Sequence, residues 1–361
     1  MDTLDLPLID LSVLLNLAPG ASPTPDVLSA AAIAAEALHK YGLLLVKDPR
    51  ATEEMNESFL DLLESYFEQP EDVKLVDVRS ELYYQVGTTP SRVELPRDHC
   101  SRMRAFAEAD KPLSLCPPEK DPKWRFFWRV GVPPTQTEFP QLNAAPVIPH
   151  ALPTWGKQMD AWGAVLLGAA VGVAELAALG FGLEQDAFAA RMAGGPHLLA
   201  PTASDFNKFG AAGTVLAGYH YDLNFLTAHG RSRFPGLFVW TREGRRLAVK
   251  VPKGALLVQA GAQFQYLTGG HVLAGFHEVV VTPATVTAIE TAKNANKSLW
   301  RISSTLFSHI ASDVVLEPIG RFATTPEIQK AFPPIKTGDH VAAELAAINL
   351  GEGSDGAAVA Q

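Results

Sequence analysis

Gly218-Tyr219-His220-Tyr221-Asp222 sets an imidazole and a carboxylate two residues apart. On a strand, where side chains alternate between faces, His220 and Asp222 project one way and Tyr221 the other. A second imidazole, His277, stands in the β-branched run Ala274 to Val281 that follows the Gly269-Gly270 turn. Two histidines and one carboxylate leave three cis positions of an octahedral ferrous ion open, enough for a bidentate co-substrate and dioxygen. His271 competes for the third position, but it follows the two glycines directly and falls in the turn, so His277 is the preferred ligand. Further on, Arg301 and Ser303 of Trp300 to Phe307 share one face of another strand. A guanidinium fork beside a hydroxyl is suited to gripping a carboxylate inside an apolar barrel.

The elements that must position these groups are legible in outline. From about His197 to His309, short runs such as VLAGY, FLTAH, GLFVW and ALLVQA recur between Gly and Pro, the pattern of an all-β sandwich or jelly roll. Before it, Leu6 to Leu11 and Leu43 to Val46 read as strands around a helix over Val27 to Tyr41. A second helix runs from Thr52, its N-cap, to Phe67, ending before Gln69-Pro70. Between about Glu81 and Pro153 the sequence predicts long loops and short strands. Ala161 to Leu183 is apolar enough to cross a bilayer. Yet Trp155, Met159, Trp162, Leu166, Ala169, Val173 and Leu176 recur at helical spacing, Glu175 interrupts the run and glycines dilute it, so a core helix is expected.

Composition narrows the classes. The 361 residues are 47% hydrophobic and 19% charged, a globular balance. A net charge of -9 without a dense Lys/Arg stripe argues against nucleic acid or an anionic membrane as partner, leaving a small molecule. Cys100 and Cys116 are too few for a disulfide framework and read as reduced thiols of a cytoplasmic protein. Asp2, Asp5 and Asp10 stand where a signal peptide would need basic residues. No internal repeat and no phosphate-cradling glycine motif is found. The last residues, GEGSDGAAVAQ, read as disordered, and the tail is given no catalytic role.

The composite of HxD at 220–222, His-x-Val at 277–279 and Arg-x-Ser at 301–303 resembles the isopenicillin N synthase-like 2-oxoglutarate/Fe(II)-dependent dioxygenases. LPLIDLS (6–12) and YGLLLVKDP (41–49) look like that family's opening strands, and the resemblance covers most of residues 5 to 320. It implies an α+β, mainly β fold: a double-stranded β-helix, or jelly roll, with N-terminal and flanking helices. The implied organisation is an N-terminal helical and substrate-loop region (1–195), the jelly-roll core (196–320) and a C-terminal extension (321–361). It also implies Fe(II) held by His220, Asp222 and His277, and 2-oxoglutarate held by Arg301 and Ser303. Asn207 is a loose counterpart of a further co-substrate contact. The implied reaction consumes O2 and 2-oxoglutarate, releases succinate and carbon dioxide, and oxidises, by default hydroxylates, a small organic metabolite. Two alternatives share the fold: an oxidase that needs no 2-oxoglutarate, and a binding protein without catalysis. The chain departs from the family pattern at Ala262, at Glu278 and in an insertion over Thr282 to Ser298 that reads as a helical turn or helix.

Substrate contacts are sought in the aromatic and basic loops: Tyr83, Tyr84, Gln85, Arg92, Arg125, Phe127 and Arg129, with Phe225, Gln259 and Phe307 on barrel strands. The arginines among them suggest a small organic acid or amino-acid-like substrate. His229 reads as structural, Arg231 and Arg233 as solvated loop charges within reach of an acidic substrate, and the protein as a monomer or weak oligomer.

Overall fold

A computed structural model describes residues 6–18 and 20–350; the tail over 351–361 that reads as disordered lies outside the described residues. Fourteen strands build the part that concerns the site: β1 (Leu8–Asp10), β2 (Leu43–Lys47), β3 (Gly87–Thr89), β4 (Trp124–Val130), β5 (His197–Leu199), β6 (Thr202–Asp205) and β7 (Val215–His220). They continue as β8 (Leu226–His229), β9 (Leu237–Trp240), β10 (Arg246–Ala248), β11 (Leu256–Ala260), β12 (His277–Val280), β13 (Trp300–Ser303) and β14 (Thr305–Ser308). A ten-stranded sheet runs β1-β2-β11-β8-β14-β5-β4-β6-β13, with β3 on β4, and a four-stranded sheet runs β10-β9-β12-β7. The pairings are antiparallel apart from β1 with β2. The N-terminal strands are part of the large sheet: β2 pairs with β11, and β4 lies between β5 and β6.

Helices cover the large sheet. In α1 (Pro25–Tyr41), Thr24 caps the start, Pro25 opens the first turn, and Gly42 ends it at φ 70°, a left-handed conformation that suits glycine. In α2 (Glu53–Phe67), the Thr52 hydroxyl accepts from the Met55 amide at 3.2 Å, the expected cap. The expected core helix is α3 (Trp155–Gly180), which buries Trp155, Met159, Trp162, Leu166, Ala169 and Val173 in the main hydrophobic cluster. Its diluting glycines serve close packing, because a Cβ at Gly163 would collide with Val130 and one at Gly180 with the Ala31 carbonyl. The 282–298 insertion is a helix, α4 (Pro283–Asn294), opened by reciprocal hydrogen bonds between Thr282 and Thr285. A last helix, α5 (Thr337–Ala347), packs Val341 and Leu345 against Phe139 and Leu142.

Two expectations are corrected. Cys100 and Cys116 are not free thiols; they form a disulfide, with Cα atoms 5.6 Å apart, which removes the reduced-thiol argument for a cytoplasmic placement. Asp222 is not on the strand that carries His220: β7 stops at His220, and Asp222 lies in the turn beyond it. Its carboxylate reaches the histidine because that turn is tied to the start of the 262–267 helix, where the Ala262 amide donates to the Asp222 carbonyl at 2.8 Å.

Candidate active site

β7 and β12 are neighbours in the small sheet, and their register pairs His277 with His220 directly. Adjacent cross-strand residues lie side by side on one face, so the two rings meet with centroids 4.2 Å apart. Asp222 completes the set: its Oδ1 is 3.8 Å from His220 Nε2 and 3.9 Å from His277 Nε2. One ligand atom from each residue lies within 4.8 Å of the others.

The groups behind the triad fix its orientation. His220 Nδ1 faces the Gly218 carbonyl at 2.5 Å and His277 Nδ1 faces the Gly275 carbonyl at 3.2 Å. The Gly218 carbonyl favours the proton on His220 Nδ1, which leaves its Nε2 lone pair for the common point, whereas His277 Nδ1 has both the Gly275 carbonyl and the Gln259 amide nitrogen at 3.2 Å. Gln259 Nε2 donates to the same Gly275 carbonyl at 2.6 Å, close enough that a Cβ on Gly275 would overlap it. Thr227 donates to Asp222 Oδ2 at 2.6 Å, which leaves Oδ1 for the site. Burial, His277 and Lys123 push His220 down to about 3, so its imidazole is neutral. Asp222 is held below the usual carboxylate range: burial acts upward and is outweighed by the imidazoles of His277 and His220.

A cavity of about 360 Å³ opens beside the triad between the two sheets. Arg301 of β13 enters it with Nη1 donating to Ser303 Oγ at 2.7 Å, as the shared strand face predicts. Arg301 is 5% exposed, its Nε has no hydrogen-bond partner, and among the described residues no carboxylate lies at ion-pair distance. Burial pushes it down to about 10, so it remains a cation at neutral pH. An unneutralised buried guanidinium is costly, and an anionic ligand satisfies it. The donor set and this orphaned cation together fit a ferrous ion and a dicarboxylate.

Of the candidate substrate contacts, Gln85, Arg125, Phe127 and Phe307 line the cavity, with Phe127 and Phe307 packed edge to face at 6.0 Å. Others are placed elsewhere. Phe225 is fully buried in the main core, 4.6 Å from the Phe264 ring, so it contacts no ligand. Tyr84 packs on the cluster around Phe139, and the Tyr83 carbonyl accepts from Gln85 Nε2 in the same turn. Arg92 is exposed and lies over the Phe209 ring at 5.8 Å, beside a separate, smaller cavity. Asn207 is also outside: it is exposed, and its amide and side chain both donate to Asp205 Oδ1 as part of a short helix cap. Arg129 donates to the Gly195 carbonyl, and His271 stacks on His39 with centroids 4.1 Å apart.

Several lining residues were not among the sequence-derived site residues, His229 having read as structural. His229 is on the wall, its Nδ1 3.2 Å from Thr305 Oγ1 and its Nε2 unpartnered. Alternation from Thr227, which touches Asp222, carries the signal that could have placed it there. Glu94, Asp121 and Lys123 form a buried charge chain on another wall, and Arg97 and Tyr221 meet Glu344 of α5 at a third. Asp121 and Lys123 are two residues apart, but Glu94 and Glu344 pair with residues far along the chain, and nothing in a single sequence marks those contacts. Glu278, the departure beside His277, is buried under Arg246 and accepts from the Leu113 and Ser114 amides, so it ties down a loop and faces no ligand.

Residues 199–310 match the 2OG-Fe(II) oxygenase superfamily. Over 334 residues the chain is 24% identical to kihadalactone A synthase of Citrus sinensis, covering 88% of this chain and 87% of that protein. The fold is similar to that of a putative 2OG-Fe(II) oxygenase family protein from Caulobacter crescentus (TM-score 0.71, 20% identity, 95% of this chain and 98% of that one). It is equally similar to that of a full-length Neurospora crassa protein crystallised in complex with alpha-KG (TM-score 0.71, 18% identity, 94% and 96%).

Proposed function

We propose, on the match of residues 199–310 to the 2OG-Fe(II) oxygenase superfamily, that His220, Asp222 and His277 hold Fe(II) while Arg301 and Ser303 hold the distal carboxylate of 2-oxoglutarate. The observation that carries this reading is the buried Arg301 guanidinium without an acidic partner, facing the same cavity as the triad. The Neurospora crassa protein, with the same fold, holds alpha-KG in its crystal structure. When bound, iron and 2-oxoglutarate supply the oxidising power, activating O2 with release of succinate and carbon dioxide.

The chain's own residues supply position and dryness. The Gly218 and Gly275 carbonyls orient the two imidazoles through Nδ1 so that Nε2 faces the metal site, and Thr227 holds the carboxylate. Arg301 and Ser303 would orient the dicarboxylate with its other end toward the metal that His220, Asp222 and His277 would hold in the same cavity. Leu237, Val279, Phe127 and Phe307 give apolar walls that exclude water from the oxidising centre. A small organic metabolite, by default hydroxylated, fills the rest of the cavity. The acidic charge balance favours a free small molecule over nucleic acid.

Anaerobic titration with Fe(II) and then 2-oxoglutarate, watching for the weak visible charge-transfer band of the chelate, tests the reading. A band in the wild type that is lost in His277→Ala and weakened in Arg301→Met supports it. Stoichiometric iron without a band refutes the 2-oxoglutarate assignment and favours the oxidase alternative.

A further inference from the structure

Two of the polar walls of the cavity, one around Arg301 and one around Lys123, differ in how their charges are matched. Arg301 stands alone, whereas Lys123 Nζ donates to Asp121 Oδ2 at 2.6 Å and to Glu94 Oε1 at 3.1 Å, and Arg125 Nη1 donates to Glu94 Oε2 at 2.7 Å. Two carboxylates face two cations, so this wall presents hydrogen-bonding dipoles without net charge. Lys123, Asp121 and Arg125 are all buried, at 7, 4 and 6% exposure. Burial would raise the Glu94 carboxyl, but Lys123 and Arg125 outweigh it and hold it at about 2. Burial raises the Asp121 carboxyl above its ordinary range against the pull of Lys123, which donates to Oδ2 at 2.6 Å, and of the Gly218 amide, which donates to Oδ1 at 2.9 Å.

The remaining arginines of the lining are matched as well. Arg97 pairs with Glu344 at 2.7 Å, and Arg231 with Glu53 and Glu57 of α2. Arg233 takes Glu57, Asp61 and Glu64 of the same helix. Lys250 is exposed at the rim. Among the described residues Arg301 is therefore the buried cation of this cavity without a carboxylate. With a dication and a dianion seated, Arg301 and Asp222 complete a neutral centre. A further carboxylate would be buried unmatched, or would have to take Arg125 and strand Glu94; either is strongly unfavourable.

Resting on the assignment of Arg301 to 2-oxoglutarate, we propose that the substrate offers a neutral hydrogen-bonding group, such as an amide, alcohol or carbonyl, and no carboxylate to the Glu94–Arg125 wall, and that Glu94 is the residue that enforces this choice. Of the arginines that suggested an organic acid, Arg125 is charge-matched by Glu94 although its Nε and Nη2 have no hydrogen-bond partner, while Arg129, bonded to the Gly195 carbonyl, and Arg92, over the Phe209 ring, do not line the cavity. The preference is built by pairing, so it is removable at a single position.

Benzoate and benzamide, matched in shape and different in charge, are the probes. Each is titrated by calorimetry into anaerobic protein loaded with Fe(II) and 2-oxoglutarate, with the visible band recorded alongside. Glu94→Gln is expected to raise benzoate affinity at least about tenfold, ~1.4 kcal/mol, while benzamide stays within about threefold. Glu344→Gln, which frees Arg97 at the mouth and leaves the buried chain intact, is expected to shift benzoate in the same direction by a smaller factor. It carries the test if Glu94→Gln fails to fold. Benzoate binding that is equal in wild type and variants, including no binding to any of them, overturns the proposal. Absence of the band in the wild type instead refutes the Arg301 assignment, and the benzoate contrast still reads the wall's charge.

Discussion

Arg301 on β13 and Arg125 on β4 are both buried guanidiniums facing one cavity, one strand apart across β6. Arg125 is held by Glu94 and lies over the Phe127 ring at 4.1 Å; Arg301 has only the Ser303 hydroxyl. The difference separates two uses of buried charge. A cation matched inside the fold shapes and neutralises a wall, whereas a cation left unmatched stores an unfavourable term that a ligand relieves.

Removing the metal between the two walls has the largest effect. His277→Ala leaves two ligands, and turnover of any accepted substrate is expected to fall by about 10³-fold or more, roughly 4 kcal/mol, with loss of stoichiometric Fe(II) on equilibrium dialysis. Lys123→Met leaves Asp121 without a cation and Glu94 with Arg125 alone, and denaturant unfolding is expected to show a loss of about 3–5 kcal/mol. Arg301→Met should do the opposite in the ligand-free protein: unfolding free energy unchanged or higher by about 1 kcal/mol, with 2-oxoglutarate affinity down about 100-fold, ~2.7 kcal/mol. A ligand-free Arg301→Met that unfolds as readily as Lys123→Met would erase the contrast between the walls.

A neutral buried pair offers a third case. The His309 amide donates to His197 Nδ1 at 3.0 Å, and both imidazoles are pushed down to about 3, by burial first. In the unfolded chain they titrate near 6.5, so between pH 6.5 and 3 the unfolded state binds more protons and stability rises with pH. Their contribution is complete above about pH 6.5 and is lost as pH falls toward 3, at up to about 1.4 kcal/mol per unit for each histidine. Unfolding free energies of wild type and His197→Gln at pH 7.5 and 5 measure it, the variant having the shallower dependence. At the small end, Asn207→Ala is expected to leave 2-oxoglutarate affinity within about twofold and stability within about 0.5 kcal/mol. A larger loss of co-substrate binding would bring Asn207 back into the site.

Signals that are local or periodic were readable: the helical stripe of α3, the Thr52 cap, the α4 insertion and the shared face of Arg301 and Ser303. The HxD pair was legible as chemistry, but its geometry was not, because Asp222 reaches His220 through a turn and not along a strand. Arg231 and Arg233 read as solvated charges because their partners lie on α2, far back in the chain. The tail over 337–347 carried no motif, yet Glu344 closes a side of the cavity.

By itself, then, the sequence determined the reactive groups: which atoms can ligate a metal, which strand face carries the guanidinium and which helix forms the core, since backbone periodicity and donor chemistry are local properties. The tertiary structure alone decided which charges are free. Neutralisation depends on distances of a few ångströms between residues far apart along the chain. It is that pairing, not the count of arginines, that sets what the cavity accepts.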